Sequence, residues 1–185
     1  EDATAEATEC PDVETDPIGH WTWQLQNAET AEEKAAAATE LSNAIKQQLE
    51  DGVDIDTEVL EAGLTELGNF LASEDFYELE DTSKIKGAIS AFASMCKQLL
   101  ADAENNTIGE TDVISLMTNV FQTALDTIED PQLLASTISQ AFNVRNAINS
   151  DNSDAGDAIM TLMSDWIQNN AEKIQSICTA INDSA

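Results

Sequence analysis

Apolar residues recur at every third or fourth position along most of this 185-residue chain, the spacing that aligns them on one face of an α-helix. Two such stripes are Leu60, Leu64, Leu67 and Leu71, and later Ile114, Met117, Phe121, Leu125 and Ile128. Between the apolar positions lie many Ala, Glu and Gln residues, which favour helix. The alternating pattern of a half-buried strand is not found over a useful length. The sequence therefore predicts an all-α fold.

Cap residues mark where the predicted helices begin and end. Thr30, with Glu33 three residues later, predicts a capping box, and Gly52 is expected to end that helix. Asp130 before Pro131 predicts a second helix start. Short connections favour antiparallel neighbours. We therefore predict a single bundle of five to six antiparallel helices, which forms one domain over 30–185. This domain consists of a five-helix core over 30–148 and an additional C-terminal helix over 154–182. The core helices are expected at 30–50, 57–72, 83–103, 111–128 and 131–148.

The first 29 residues differ from the rest of the chain. Acidic residues crowd positions 1–16, and a charge run of this kind is usually a solvated segment. The sequence thus predicts an extended acidic N-terminal leader over 1–29. Trp21 and Trp23, followed by Leu25, are expected to anchor this leader on the core. The alternative is that the tryptophans form a partner-binding motif.

The charge of the chain restricts its partners. It contains 36 acidic and 7 basic residues, which gives a formal net charge of −29. Binding to nucleic acid or to anionic membrane surfaces requires clustered Lys and Arg, so neither partner is expected. Mutual repulsion should keep such chains apart at neutral pH, and protonation of carboxylates would weaken it. The composition therefore favours association when the pH falls.

Residues that could carry catalysis or hold a metal are scarce. His20 is the single histidine, which leaves no basis for a Ser-His or Cys-His triad. The acidic run at 151–157 places Gly156 sixth, as in an EF-hand, but Leu162 occupies the twelfth position and cannot ligate calcium. This run is predicted to be a capped turn. We expect no enzyme activity, no metal and no cofactor.

In an oxidising compartment, an odd count of three widely spaced cysteines suggests one internal disulfide and one cysteine that is left for a partner or stays a free thiol. Cys96 and Cys178 lie on or beside apolar stripes, so an internal disulfide between them is predicted. Cys10 is then left for an intermolecular disulfide with a partner. The alternative is that Cys96 is only a small buried apolar residue. The scarcity of Lys and Arg and two glycosylation sequons, at Asn105 and Asn182, favour a secreted, extracellular protein.

The segment SKIKGAISAFASM at 83–95 resembles the third helix of spider-silk (spidroin) N-terminal domains. Shorter stretches at 41–45, 60–68, 111–123 and 131–134 resemble other helices of that family in the same order, so the resemblance covers residues 38–142. It implies a secreted five-helix bundle that keeps silk protein soluble and dimerises as the pH falls. The count of three cysteines is also similar to that of moth fibroin light chains, which pair one cysteine with a heavy chain.

The resemblance also implies association contacts between two copies. Lys84 matches the basic contact of the family, and the acidic contact falls on Glu61 or its neighbour Ala62. Lys86 is added as a second candidate basic contact because it lies beside Lys84. The positions at which the family takes up protons hold residues that do not titrate, so the proton relay is in doubt: Gln98, Ala103 and Ser136.

Two functions follow as hypotheses. The first is a secreted, non-enzymatic assembly domain of a silk or other structural protein. It would keep its partners soluble and associate with itself or with a larger structural protein through pH-dependent charge and an intermolecular disulfide. The second is a secreted helical carrier of a small apolar ligand, held among core residues such as Met95, Met117, Met160, Met163, Phe92, Phe121 and Phe142.

Overall fold

The computed structural model describes residues 9–102, 108–147 and 153–183, and the regular structure of these residues is entirely helical, which confirms the all-α prediction. Nine helices lie within these ranges: α1 (Pro17–Asn27), α2 (Ala31–Glu50), α3 (Thr57–Leu71), α4 (Glu74–Tyr77), α5 (Thr82–Ala101), α6 (Glu110–Thr127), α7 (Pro131–Ala147), α8 (Ser153–Asn169) and α9 (Ala171–Asp183).

Helices α2 and α5 pack against each other at the centre of the core. On α2 the buried face is formed mostly by small alanines, together with Leu41 and Ile45. On α5 the buried face carries larger side chains, among them Ile85, Ile89 and Phe92. A face of small residues lets the two helix backbones approach closely. The larger residues of α5 then reach further neighbours, since α5 also packs on α6 and α7.

The predicted cap residues form the expected hydrogen bonds. The backbone N–H of Glu33 donates to Thr30 Oγ1 at 3.2 Å, and the N–H of Thr30 donates to Glu33 Oε2 at 3.3 Å, which completes the capping box. Asp130 Oδ1 accepts from the N–H of Leu133 at 2.7 Å at the start of α7. Gly52 follows α2 with φ +67°, a left-handed conformation that glycine adopts without steric cost.

Residues 17–27 differ from the sequence-based expectation. They form α1 instead of part of an extended leader, and α1 packs on α2 and α3. Pro17 occupies its first turn, and Asp16 Oδ1 accepts from the N–H of Gly19 at 2.9 Å. Ile18 and Leu25 are buried in the core. The Asp-Pro start signal of α7 is thus repeated here, within a segment whose acidic residues indicated a solvated chain.

The tryptophans of α1 are less buried than the aliphatic residues beside them. Trp21 is half-buried and packs against the core, and Trp23 is also half-buried. The anchor of this segment therefore consists mainly of Ile18 and Leu25, with Trp21 at the edge of the contact. Residues 1–8 of the predicted leader lie outside the described residues.

The predicted C-terminal helix over 154–182 is divided into α8 and α9 at Asn170. The Asn170 side chain donates to the Trp166 carbonyl at 2.8 Å, so it satisfies a carbonyl at the end of α8. Trp166 itself is buried, and its Nε1–H donates to the Leu125 carbonyl of α6 at 3.2 Å. Helix α8 is therefore fixed to α6, while α9 packs mainly on α7.

The connection between α3 and α5 also contains a helix that the sequence did not predict. Helix α4 is a single turn whose Phe76 is fully buried, with its ring centroid 5.1 Å from that of Phe70. Tyr77 donates its hydroxyl to the Leu71 carbonyl at 2.7 Å, and burial raises the pKa of this phenol. The aromatic residues thus hold in place a segment that lies between the predicted helices 57–72 and 83–103.

Truncation of Leu25 tests whether α1 belongs to the core. We expect Leu25→Ala to lower the free energy of unfolding by about 2–5 kcal/mol, because it removes a buried side chain and leaves a cavity. Gln26→Ala, at an exposed position of the same helix, should change stability by less than about 0.5 kcal/mol. Urea unfolding followed by circular dichroism measures both. Equal, small effects would contradict the packing of α1.

Candidate functional site

The acidic residues lie at the surface with little internal pairing. Among the described residues, no Asp, Glu, Lys or Arg side chain is buried. Within the same ranges, Lys46 and Glu50 form an ion pair on one face of α2, and the distance from Nζ to Oε1 is 3.6 Å. An exposed pair of this kind contributes little to stability. The net charge of −29 therefore acts mainly on solvent, ions and other molecules.

Two of the seven basic residues share one end of a helix. Lys84 and Lys86 are exposed in the first turns of α5, and we refer to them as the basic end of α5. Lys97 lies on the same helix but roughly 16 Å further along its axis, at 1.5 Å per residue. The third lysine of α5 therefore does not belong to this patch.

The cap of α5 remains charged at mildly acidic pH. Asp81 accepts from the N–H of Ser83 at 3.0 Å and from the Ser83 hydroxyl, and these bonds lower the pKa of Asp81 below its ordinary value of 3.8. Lys84 lowers it further by a smaller amount. Because this pKa is depressed, the cap stabilises α5 above pH 3.8 and loses its effect only as the pH falls through the lowered value.

Glu61, the candidate acidic contact, is exposed on α3 beside a cleft of about 290 Å³. We refer to this feature as the α3–α6 cleft. Its apolar wall contains Leu64, Ile108 and Leu116, and Asp112 supplies a second carboxylate. The structure does not pair Glu61 with Lys84 or Lys86 within the chain. The cleft thus combines an apolar surface with two carboxylates.

Cys96 and Cys178 are free thiols in this structure and are not joined to each other. Cys96 is fully buried in the apolar stripe of α5, and this burial raises the pKa of its thiol. Cys178 is exposed on α9, next to the buried Ile177. The predicted pairing would require one sulfur in the core and one at the surface to meet. The position of Cys96 fits the alternative that it is a small buried apolar residue.

Cys10 is half-buried and lies against α1. Its Sγ is 3.4 Å from His20 Nδ1 and 3.8 Å from Gln24 Nε2. His20 Nδ1 is also 2.8 Å from the Pro11 carbonyl oxygen, which can only accept. Sequence analysis treated His20 only as an isolated histidine. Its spacing of four residues from Gln24 on a helix was the signal that could have indicated a shared face.

The Met and Phe residues considered for a ligand site mostly fill the core. Phe92, Met95, Met117 and Phe121 are buried, and the rings of Phe92 and Phe121 have centroids 6.3 Å apart. Met160, in contrast, is 40 % exposed on α8. These side chains therefore pack mainly on one another, and no observation favours the carrier hypothesis over the assembly hypothesis.

Two other classes of site were sought in the part of the chain that the structure describes. No group of three or more His, Cys, Asp or Glu side chains there could hold a metal ion. Asp151 and Asn152 of the EF-hand-like run lie outside the described residues. None of the described helices is both long and apolar enough to cross a membrane.

Comparison of the chain with protein-family models, with curated proteins and with solved structures finds no match. A function is therefore inferred from the surface charge and the α3–α6 cleft.

Thiol labelling tests the positions of the three cysteines. In the folded, reduced protein we expect Cys10 and Cys178 to react with a maleimide, and Cys96 to react only after denaturation, because its sulfur is fully buried. Peptide mass spectrometry assigns each label, and Cys10→Ser and Cys178→Ser serve as controls. A non-reduced protein in which Cys96 and Cys178 are joined in one cross-linked peptide would contradict the free thiols of the structure.

Proposed function

We propose that this chain is a secreted, non-enzymatic assembly domain of a silk or related structural material. In this proposal it keeps its partners soluble at neutral pH, associates with itself or with a larger structural protein as the pH falls, and forms an intermolecular disulfide through Cys10. The observation that carries the proposal is the large net charge of the chain, together with the Lys46–Glu50 pair as the ion pair recorded within the described residues. The resemblance of residues 83–95 to a spidroin N-terminal helix supports the same function.

The charge argues for a soluble, separated state at neutral pH. A net charge of −29 on a chain of 185 residues causes strong repulsion between copies, which salt screens beyond about 8 Å at physiological ionic strength. A Glu side chain with an ordinary pKa near 4.3 is only about one-sixth protonated at pH 5. The main loss of charge, and therefore of repulsion, is expected between about pH 5 and pH 4.

Charge complementarity supports a contact between two copies. The basic end of α5 in one copy would meet Glu61 and Asp112 beside the α3–α6 cleft of another. Exposed ion pairs contribute only about 0.2–1 kcal/mol each, so these charges would orient the encounter rather than supply most of its affinity. Leu64, Ile108 and Leu116 offer apolar surface that could supply the remainder.

Sedimentation velocity at several pH values tests the association. We expect a monomer at pH 7 and a larger species below about pH 5, because protonation of exposed carboxylates reduces the repulsion. Raising the salt concentration at pH 7 should shift the protein in the same direction by screening. A monomer at every pH at which the protein stays folded would contradict the proposal.

Charge reversal tests the contact itself. We expect Lys84→Glu combined with Lys86→Glu to reduce association at acidic pH by about two- to thirtyfold, since two exposed ion pairs of about 0.2–1 kcal/mol each are lost. The matched control is Arg145→Glu combined with Lys173→Glu, which changes the net charge equally but acts on α7 and α9. Glu61→Lys should weaken self-association and restore it when mixed with the Lys84 and Lys86 variant. If both double variants lost association equally, the net charge alone would control association and the proposed contact would be wrong.

A further inference from the structure

A second cleft, of about 340 Å³, lies between α1, the start of α3 and the segment that precedes α1. We refer to it as the α1–α3 cleft. Its apolar wall contains Pro11, Trp23, Val59 and Ala62. None of the described residues that line it also lines the α3–α6 cleft. It is therefore a separate feature of the surface, which the proposed contact between copies does not use.

The two tryptophans of α1 differ in their relation to this cleft. Residues two apart on a helix are rotated by roughly 200° about its axis, so Trp21 and Trp23 lie on different sides of α1. Trp21 packs against the core, and its ring centroid is 4.8 Å from that of His20. Trp23 is half-buried and lines the cleft. The sequence-based alternative of a partner-binding motif thus applies to Trp23.

The walls of the α1–α3 cleft are held in place. Helices α1 and α3 approach closely at Gly63, where an added Cβ would lie 3.3 Å from Thr22 Oγ1. Because a carbonyl oxygen can only accept, Nδ1 of His20 donates to the Pro11 carbonyl, at 2.8 Å. A turn centred on Asp12, whose Oδ1 accepts from two backbone N–H groups, leads the chain into α1. A cleft that is already formed costs little entropy when a ligand enters it.

Carboxylates border the α1–α3 cleft. Glu9, Asp56 and Glu58 line it and are exposed, and none of the described lining residues is basic. Asp56 also caps α3, since its Oδ1 accepts from the N–H groups of Glu58 and Val59 at 3.0 and 3.2 Å. These three described carboxylates do not form a group that could hold a metal ion. An apolar and aromatic wall beside carboxylates favours an organic cation.

An arginine side chain combines the properties that this cleft would recognise. Its planar guanidinium stacks on aromatic rings and pairs with carboxylates. Its aliphatic stem packs on apolar surface, as Val59 and Pro11 provide here. A lysine ammonium is a more strongly hydrated point charge and lacks the planar stacking surface. The cleft is therefore expected to prefer arginine to lysine.

The charge of the chain indicates where this arginine comes from. A second copy also carries a net charge of −29 and is repelled, and its single arginine is Arg145 in the last turn of α7. A basic segment of a different protein is attracted to the same surface. Charge complementarity therefore favours another protein over a second copy as the occupant of the cleft.

We propose that the α1–α3 cleft is a docking site for an arginine side chain in a basic segment of a partner protein. The guanidinium stacks on Trp23 and pairs with Glu9 and Glu58, and the stem packs on Val59. The inference rests on the proposed function, because it names the chemistry by which the larger structural protein is recognised. It is independent of the contact between two copies.

Titration of the isotope-labelled chain with a short peptide tests the docking site. The peptide contains one arginine among glycine and serine, and the indole N–H signals are followed by NMR at pH 7 and low salt. We expect the Trp23 signal to shift saturably. Trp166 should change little, because it is buried and donates to the Leu125 carbonyl, and Trp21 does not line the cleft.

Matched peptides test what the cleft recognises. A peptide with lysine in place of arginine should bind several-fold more weakly, since the planar stacking surface is lost. A peptide with citrulline, the uncharged isostere of arginine, should bind more weakly still, since it cannot form ion pairs. Added salt should weaken the binding of the arginine peptide by screening.

Removal of the bordering carboxylates tests the charge contacts. Glu9→Gln combined with Glu58→Gln should weaken binding by about two- to thirtyfold, because two exposed ion pairs are lost. The matched control is Glu40→Gln combined with Glu172→Gln, which changes the net charge equally at exposed positions of α2 and α9 that do not line the cleft. Asp56 is left unchanged because it caps α3.

Substitution of Trp23 tests the aromatic contact. Trp23→Leu should weaken binding by about two- to fivefold, the range expected for loss of an exposed cation–π contact. Trp23→Phe should retain more of the affinity, because it keeps an aromatic ring. In both variants the backbone amide signals of Val59 and Ala62, on the opposite wall, report binding. Circular dichroism verifies that the helices remain folded.

The proposal is overturned if the arginine peptide does not shift Trp23 saturably, if the citrulline peptide binds equally well, or if both double variants lose affinity equally. A Trp23 signal that moves with protein concentration alone would assign the cleft to a second copy and contradict the proposed partner. Peptide binding requires only the monomer. Normal peptide binding with a failed sedimentation experiment would therefore contradict only self-association, and the reverse result would contradict only the docking site.

Discussion

The packing of α2 on α5 is the constraint on which the rest of the molecule depends. The alanine-rich face of α2 contributes little volume, so the large residues of α5 reach past it and also contact α6 and α7. Helices α1 and α3 then cover the remaining sides of α2, and α8 and α9 cover α6 and α7. Buried apolar residues form one continuous core from Ile18 to Ile177. A bulky residue in the centre of the α2 face would separate the two helices and affect every layer.

The described charged side chains lie outside the apolar core. In the part of the chain that the structure describes, carboxylates are excluded from the interior, which avoids the cost of burying an unpaired charge. Their mutual repulsion nevertheless opposes the compact state, so the apolar core has to offset it. The same surface controls which molecules approach. It slows the encounter of like-charged copies and of anionic reagents.

Much of the fold could be predicted from the sequence because the signals were local. The capping box at Thr30 and the Asp130–Pro131 start of α7 need only neighbouring residues, and both were correct. Helix α1 begins with the same signal, Asp16–Pro17, but the acidic residues that precede it are typical of a solvated segment and so pointed to an extended leader. The environment of Cys10 could not be predicted, since it depends on a turn centred on Asp12 and on the orientation of His20. The contact of Trp166 with α6, four residues before the break at Asn170, is also long-range and could not be predicted from neighbouring residues.

The two helices on either side of the break at Asn170 differ in how firmly they are held to the rest of the chain. Helix α8 is held by several buried residues and by the Trp166 hydrogen bond to α6, whereas α9 buries Ile177 and only partly buries Ile174. An element with so few buried side chains opens at a lower free energy than the global unfolding. We therefore expect α9 to open as a sub-global unit, and its release would uncover part of α7 while the α2–α5 core remains folded.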